Sequence, residues 1–255
     1  PHYQRNYKWT KRQIDELIND IDHLLHDGES EIMAHFMGAI IAHKKTEGQN
    51  QIHPLSIIDG QQRLTSIFLA LLACIETLSN SGAKKEAANL MEEHILLKHN
   101  YIGTTSSNLR LQVARDDSES MNHVVSIIEA DLKEEIMPQH RFKPLPSKSK
   151  TASKNIESNY KRLLNWCKSS ENIYGETIIH KKINILLQNL TFVYIGVKNY
   201  IDGPKIFDRL NSKGQPLTIA ELVKNDIFNR IDIQESGAGA FENFESVTWD
   251  PFHEK

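Results

Sequence analysis

Apolar residues recur along the chain with two different periods, and these mark out the elements. From Ile14 they run Ile14, Leu17, Ile18, Ile21, Leu24 and Leu25, a helical stripe with Asp15, Glu16, Asp20 and Asp22 mostly off it. Thr10 stands at the N-cap with Gln13 three residues on, a capping box that opens this helix, and Asp27-Gly28 closes it. Phe36 to Ala42 reads as a buried strand and Leu55 to Ile58 as a second, with a polar hairpin loop from Lys44 to Gln51 between them. Asp59-Gly60 then leads into a helix from about Gln61 to Leu78. Its Leu64, Ile67, Phe68, Leu69, Leu71, Leu72 and Ile75 are apolar almost all round, which predicts a central, buried helix. Ahead of everything, Tyr3, Tyr7 and Trp9 alternate with polar residues, which predicts an extended or edge-strand segment over 1–9.

Residues 79–137 read as further helix with an irregular piece around Asn100 to Asp117. The stretch 137–155 carries prolines, serines and Arg141, Lys143, Lys148, Lys150 and Lys154, the composition of an exposed loop. Helices are predicted at about 155–168 and 175–189, then a strand from Thr191 to Val197. Asp202 and Pro204 open a short helix that stops near Gly214, and Thr218 with Glu221 caps another to about Ile231. A lone strand needs a sheet, so the one at 191–197 should return to those at 36–42 and 55–58. The expectation is an α/β (α+β), helix-rich fold forming one intertwined unit over 1–255. Its parts are a core over 1–80, a mainly helical insertion over 81–190, and 191–231 completing the core.

Composition narrows the function classes. The 255 residues are 39% hydrophobic and 25% charged with a net charge of −3, which excludes wholesale disorder and a histone-like coat. Any contact with DNA must come from a local patch. Cys74 and Cys167 cannot form a disulfide framework and read as reduced thiols of a cytoplasmic protein. The run Ile67 to Ile75 is too short to span a bilayer and Pro1 to Arg5 carries no signal pattern, so no membrane is expected. The first residue is not Met, so the chain reads as starting inside a longer protein. There is no Cys-x-x-Cys, no His-Glu-x-x-His, no Walker loop and no Gly-x-Ser-x-Gly elbow. Glu92-Glu93-His94 and Met137-Pro138-Gln139-His140 look like fragments of a His-Asn-His nuclease, but far apart in sequence, and read as coincidence.

The stretch from Ile57 to Thr65 carries the chemistry. Gly60 lets the chain turn tightly between strand and helix, and the first helical amides then point unpaired into the turn at the positive end of the helix dipole. Gln61 and Gln62 add amide donors, and Arg63 adds a planar cation suited to phosphate oxygens. Asp59 fits such a site by holding Mg²⁺, orienting an attacking water or neutralising Arg63. The bland alternative has Asp59 capping the helix and pairing with Arg63 while the glutamines face solvent. Two further groups could serve a polyanion: Gln4 and Arg5 beside Tyr3, Tyr7 and Trp9, and Asn211, Lys213, Lys224 and Asn225 around Gly214. Their alternatives are an edge strand with a buried aromatic face and an ordinary helix C-cap among solvated lysines.

Taken together these segments resemble the N-terminal domain of the GmrSD-type restriction family, which includes phosphorothioate-sensing antiphage proteins of the SspE kind. Pro1 to Thr10 is similar to the family's opening Pro-x-Tyr-Gln-Arg-x-Tyr-x-Trp, and Phe36 to Ile40 to its second strand. Asp59-Gly60-Gln61-Gln62-Arg63 matches its hallmark run without a change. Phe207 to Leu217 and Glu221-Leu222-Val223-Lys224-Asn225 resemble its closing motif, with Glu221 where Asp is commoner. The resemblance implies a ParB/sulfiredoxin-like core. It also implies that Mg²⁺ and a nucleoside triphosphate (GTP, ATP or UTP) are bound and hydrolysed at the turn, coupled to recognition or cutting of modified double-stranded DNA. Asp59, Gln62 and Arg63 would be catalytic. Gln4, Arg5, Gly60, Gln61, Asn211, Lys213, Lys224 and Asn225 would bind nucleotide, and Tyr3, Tyr7 and Trp9 would form a pocket for the DNA modification. The expected partners are a C-terminal His-Asn-His nuclease domain or subunit, not recognised in this chain, and a second copy in a homo-oligomer. The alternative is a nucleotide- or DNA-binding sensor without turnover.

Overall fold

The computed structural model describes residues 5–26, 34–44, 55–97, 109–143 and 154–198. The predicted hairpin loop after Lys44 and the helices expected beyond 198 lie outside them. The fold is α+β and helix-rich, with one small mixed sheet.

Helix α1 spans Lys11–His26. It buries Ile14, Leu17 and Ile21, the inner line of its stripe. One half of the predicted capping box forms, with Gln13 Oε1 accepting the Thr10 backbone N–H at 3.0 Å and the Thr10 hydroxyl at 2.8 Å. Strands β1 (His35–Lys44) and β2 (Leu55–Asp59) pair antiparallel. Strand β3 (Leu190–Val197) joins the other edge of β1 in parallel, so the strand order is β2-β1-β3. The late strand thus returns to the early sheet. A parallel neighbour requires a crossover, and the intervening helices supply it. β1 is less buried than its apolar run suggests: Ile41 and Ala42 are inaccessible, whereas Phe36 is exposed.

Helix α2 (Gln61–Asn80) is the axis of the molecule. Around it pack α3 (Lys84–Leu90), α4 (Ser118–Leu132), α5 (Lys154–Tyr174) and α6 (Thr177–Asn184). Leu69, Leu72, Ile75 and Leu78 of α2 are fully enclosed. By length and composition α2 could cross a membrane, but most of its surface is spent on this core. Helices α3 and α6 each run on into a single π turn, Met91–Ile95 and Ile185–Asn189, and the second feeds directly into β3.

Three expectations change. The leading segment 5–10 forms no strand. The start of the predicted loop at 137–155 is tied in, because His140 and Phe142 are buried. The two nuclease-like fragments also come together: His140 Nδ1 lies 2.9 Å from Glu92 Oε2 and the Met137 N–H donates to Glu92 Oε1 at 2.6 Å. Among the described residues no group of three or more potential metal ligands forms there or elsewhere. The pair therefore reads as a clasp between the π turn and the 138–140 turn.

Sequence periodicity also missed a buried cation. Lys182 on α6 is fully enclosed, with Nζ 3.4 Å from the centre of the Trp166 ring and donating to Ser170 Oγ at 2.6 Å. Trp166 in turn donates its indole N–H to Asp22 Oδ1 at 3.0 Å. Burial lowers the Lys182 pKa, and the ring face and hydroxyl replace part of the lost hydration.

Candidate functional site

β2 turns into α2 at Gly60, whose φ of 95° lies in the left-handed region. A Cβ there would also meet Ile40 Cγ1 at 3.0 Å, so glycine is required twice over. Among the described residues no side chain caps α2, and its first backbone bond is Leu64 N–H to the Gly60 carbonyl at 3.0 Å. The amides of Gln61, Gln62 and Arg63 precede that bond, as the first amides of any helix do.

Asp59 and Arg63 face one another across this turn, with Arg63 Nη2 3.4 Å from Asp59 Oδ2 and each side chain about one quarter exposed, at 24% and 27%. Arg63 Nη1 donates to the Met37 carbonyl at 2.7 Å. That carbonyl is available because β1 is irregular here: Phe36 pairs with Thr191 and Ala39 with Val193, so β1 carries one residue more than β3 over this stretch. The extra length is a bulge at Met37-Gly38, with Gly38 at φ 100°.

The two glutamines point in different directions. Gln61 turns back and donates Nε2 to the Ile57 carbonyl at 2.7 Å, tying the helix to the strand before it. The sequence places Gln62 at a reacting phosphate, but the structure commits both its polar atoms to the leading segment. Its Oε1 accepts the Lys8 N–H at 2.7 Å, and its Nε2 donates to the Asn6 carbonyl at 3.2 Å. This is a backbone-like pairing made by one side chain.

That pairing explains why residues 5–10 need no strand partner. Their backbone groups are met by side chains from three elements. Asp117 accepts the Tyr7 N–H, Asn155 donates to the Tyr7 carbonyl at 3.2 Å and Asn159 to the Trp9 carbonyl at 2.8 Å. Asn6 donates its amide to Asp116 Oδ2 at 3.0 Å. The alternation of aromatics gave no hint of this, since the partners lie between 54 and 150 positions away.

Tyr7 is a core residue, 3% exposed, with its hydroxyl 2.6 Å from Ser66 Oγ and 3.3 Å from Asn159 Nδ2. Burial raises the Tyr7 pKa above 10 and keeps it neutral. Trp9 is partly buried against the same core. Of the three aromatics expected to form a pocket for a DNA group, Tyr7 is spent on the core, Trp9 stays partly exposed, and Tyr3 is outside the described residues. Gln4, Asn211, Lys213, Lys224 and Asn225 are outside them as well. Arg5 is described, and with Gln61, Gln62 and Asp117 on one hand and Ile57, Leu111 and Val113 on the other it lines a small cleft of mixed character beside the turn.

The comparison with known proteins bears on this arrangement. A family model described as the GmrSD restriction endonuclease, N-terminal domain, matches residues 1–228. The chain belongs to that family. The matched span runs from the leading segment through the sheet and helices, so the Asp59–Arg63 turn lies inside a GmrSD-type domain. The domain is 28% identical over 270 residues to an uncharacterized protein, MJ0686, of Methanocaldococcus jannaschii, with 95% of this chain and 41% of that protein covered. The chain thus spans about two fifths of the length of this curated relative.

Proposed function

We propose that this GmrSD-type domain is the nucleoside triphosphate-binding and hydrolysing module of a restriction protein that acts on modified DNA. The observation that carries the reading is the turn itself. A helix N-terminus that no described side chain caps, a carboxylate and a guanidinium share one partly exposed corner, with a small cleft of mixed character beside it. Phosphate oxygens suit the amides of Gln61 to Arg63 and the helix dipole behind them. The Asp59–Arg63 separation of 3.4 Å exceeds the roughly 2.7–2.9 Å of a tight charge-assisted bond, so Arg63 can exchange that partner for a phosphate.

The described residues fit Mg²⁺. Among them Asp59 is the carboxylate that faces the turn, and Mg²⁺ takes one or two carboxylates with phosphates and water completing its shell. When bound, the ion would neutralise charge on the phosphates. The chain's own contribution is to hold them against the helix amides, to place the Arg63 cation beside them and to turn from strand to helix through the left-handed Gly60. Arg5 would approach from the leading segment. Catalysis here would be positioning and electrostatic stabilisation.

Phosphate release from GTP, ATP and UTP with Mg²⁺, with and without modified double-stranded DNA, tests this reading. Hydrolysis that falls about a hundredfold or more in folded Arg63→Ala supports it. Turnover at the parental rate in that variant contradicts it. A second reading, binding without turnover, draws on the commitment of both glutamines to protein partners, which leaves neither Gln61 nor Gln62 aimed at an attacking water. Tight nucleotide binding with no phosphate release would favour it. A C-terminal nuclease partner, self-association and a cytoplasmic setting complete the proposal for the whole protein.

A further inference from the structure

We propose that Gln62 is a positioning residue rather than a phosphate ligand. In this role it latches the leading segment so that Arg5 is presented to the cleft next to the Asp59–Arg63 turn. The first turns of α2 grip this segment at three points: Lys8 N–H and the Asn6 carbonyl by Gln62, and the Tyr7 hydroxyl by Ser66. Ser66 Oγ also lies 2.9 Å from the Gln62 carbonyl, so the grip is continuous along the helix. On the far side, Asp116 and Asp117 hold Asn6 and the Tyr7 N–H. The leading segment is therefore strung between the α2 N-terminus and the 115–117 turn, and the cleft that Arg5 lines lies between these two supports.

Two adjacent glutamines thereby have separate tasks. Gln61 fixes the helix to β2, and Gln62 fixes the leading segment to the helix. A ligand that moves the α2 N-terminus moves Asn6 to Lys8 with it, and Arg5 follows. The effect of Gln62 on a triphosphate is indirect, through Arg5, and this part rests on the nucleotide reading above. The latch itself does not.

The test uses the full chain with two readouts. Amide hydrogen exchange reads the latch without nucleotide. In Gln62→Ala the Lys8 amide should exchange roughly tenfold faster while α5 and the α2 core keep their protection. Gln62→Glu retains an acceptor for that N–H and should stay near the parent. Unchanged Lys8 exchange in folded Gln62→Ala overturns the proposal. The second readout is affinity for a non-hydrolysable GTP analogue with Mg²⁺, and for inorganic triphosphate, in Arg5→Ala, Gln62→Ala and the double variant. If Gln62 acts through Arg5, the double variant should match Arg5→Ala within about twofold. Losses that multiply would show direct contact and overturn the positioning role. If the parent binds neither ligand, the nucleotide reading fails, and the exchange result still decides the latch.

Discussion

Gly38 and Arg63 occupy one another's space: a Cβ on Gly38 would lie 2.1 Å from Arg63 Nη1. The guanidinium reaches the Met37 carbonyl only because β1 bulges there and has no side chain at the bulge. A residue on the central strand of the sheet thus sets the conformation of the hallmark arginine.

Gly38→Ala should cost about 3 kcal/mol, from left-handed strain together with displacement of Arg63. Gly82→Ala is the control. Gly82 has a similar φ of 101° but nothing within 4 Å of its missing Cβ, so only the backbone cost of about 1–2 kcal/mol applies. Urea unfolding of the two variants separates the terms. Equal losses would show that the Arg63 contact contributes nothing.

Tyr7→Phe should destabilise the domain by about 1–2 kcal/mol, although it removes one oxygen atom. The Tyr7 hydroxyl partners Ser66 and Asn159, and Asn159 is 3% exposed, so truncation leaves buried polar groups short of partners. Equilibrium denaturation measures this. A loss that shrinks when Asn159→Ala is combined with it would confirm the shared network.

Much of the fold was legible because its signals are local. The Thr10–Gln13 box, the stripe of α1 and the all-round apolarity of α2 depend on neighbours a few residues away. The return of β3 to β1 followed from the need of a lone strand for a sheet. What was not legible depends on distant partners. No pattern near Tyr7 announces Asp117, Asn155 or Asn159, and a buried Lys182 looks like any surface lysine until Trp166 and Ser170 arrive beside it. Within the turn, residue types gave no sign of the diverging directions of Gln61 and Gln62. A glycine inside β1 was the one available sign of a close approach, and it marked the contact with Arg63.

The α3–α6 contact should weaken as pH rises. His180 Nε2 lies 3.0 Å from a Glu86 carboxylate oxygen, and that hydrogen bond raises the His180 pKa above 6.5. A raised folded-state value means that the stabilisation is fully present below the unfolded value of 6.5 and is lost as pH climbs through the folded value. An NMR titration of the His180 ring should give a midpoint above 6.5, and Glu86→Gln should lower it. A midpoint unmoved by that substitution would contradict the pairing.

Cys74 and Cys167 should resist alkylation in the native protein. Both are inaccessible, with the sulfurs 3.6 Å apart. The Cys167 contact and burial raise the Cys74 pKa, which suppresses the reactive thiolate. Thiol-reagent kinetics should show little labelling in native buffer and fast labelling of both sites in denaturant. Prompt labelling of the folded protein would show that the α2–α5 interface opens.

The central claim is that the Asp59–Arg63 corner binds a triphosphate. The most direct measurement is a thermal unfolding series with a non-hydrolysable nucleoside triphosphate and Mg²⁺, on the parent and on folded Arg63→Gln. At about 100 times the dissociation constant, the parent should gain about 2.7 kcal/mol and its Tm should rise, while Arg63→Gln should show no rise. No shift in the parent, or the same shift in both proteins, would contradict the claim.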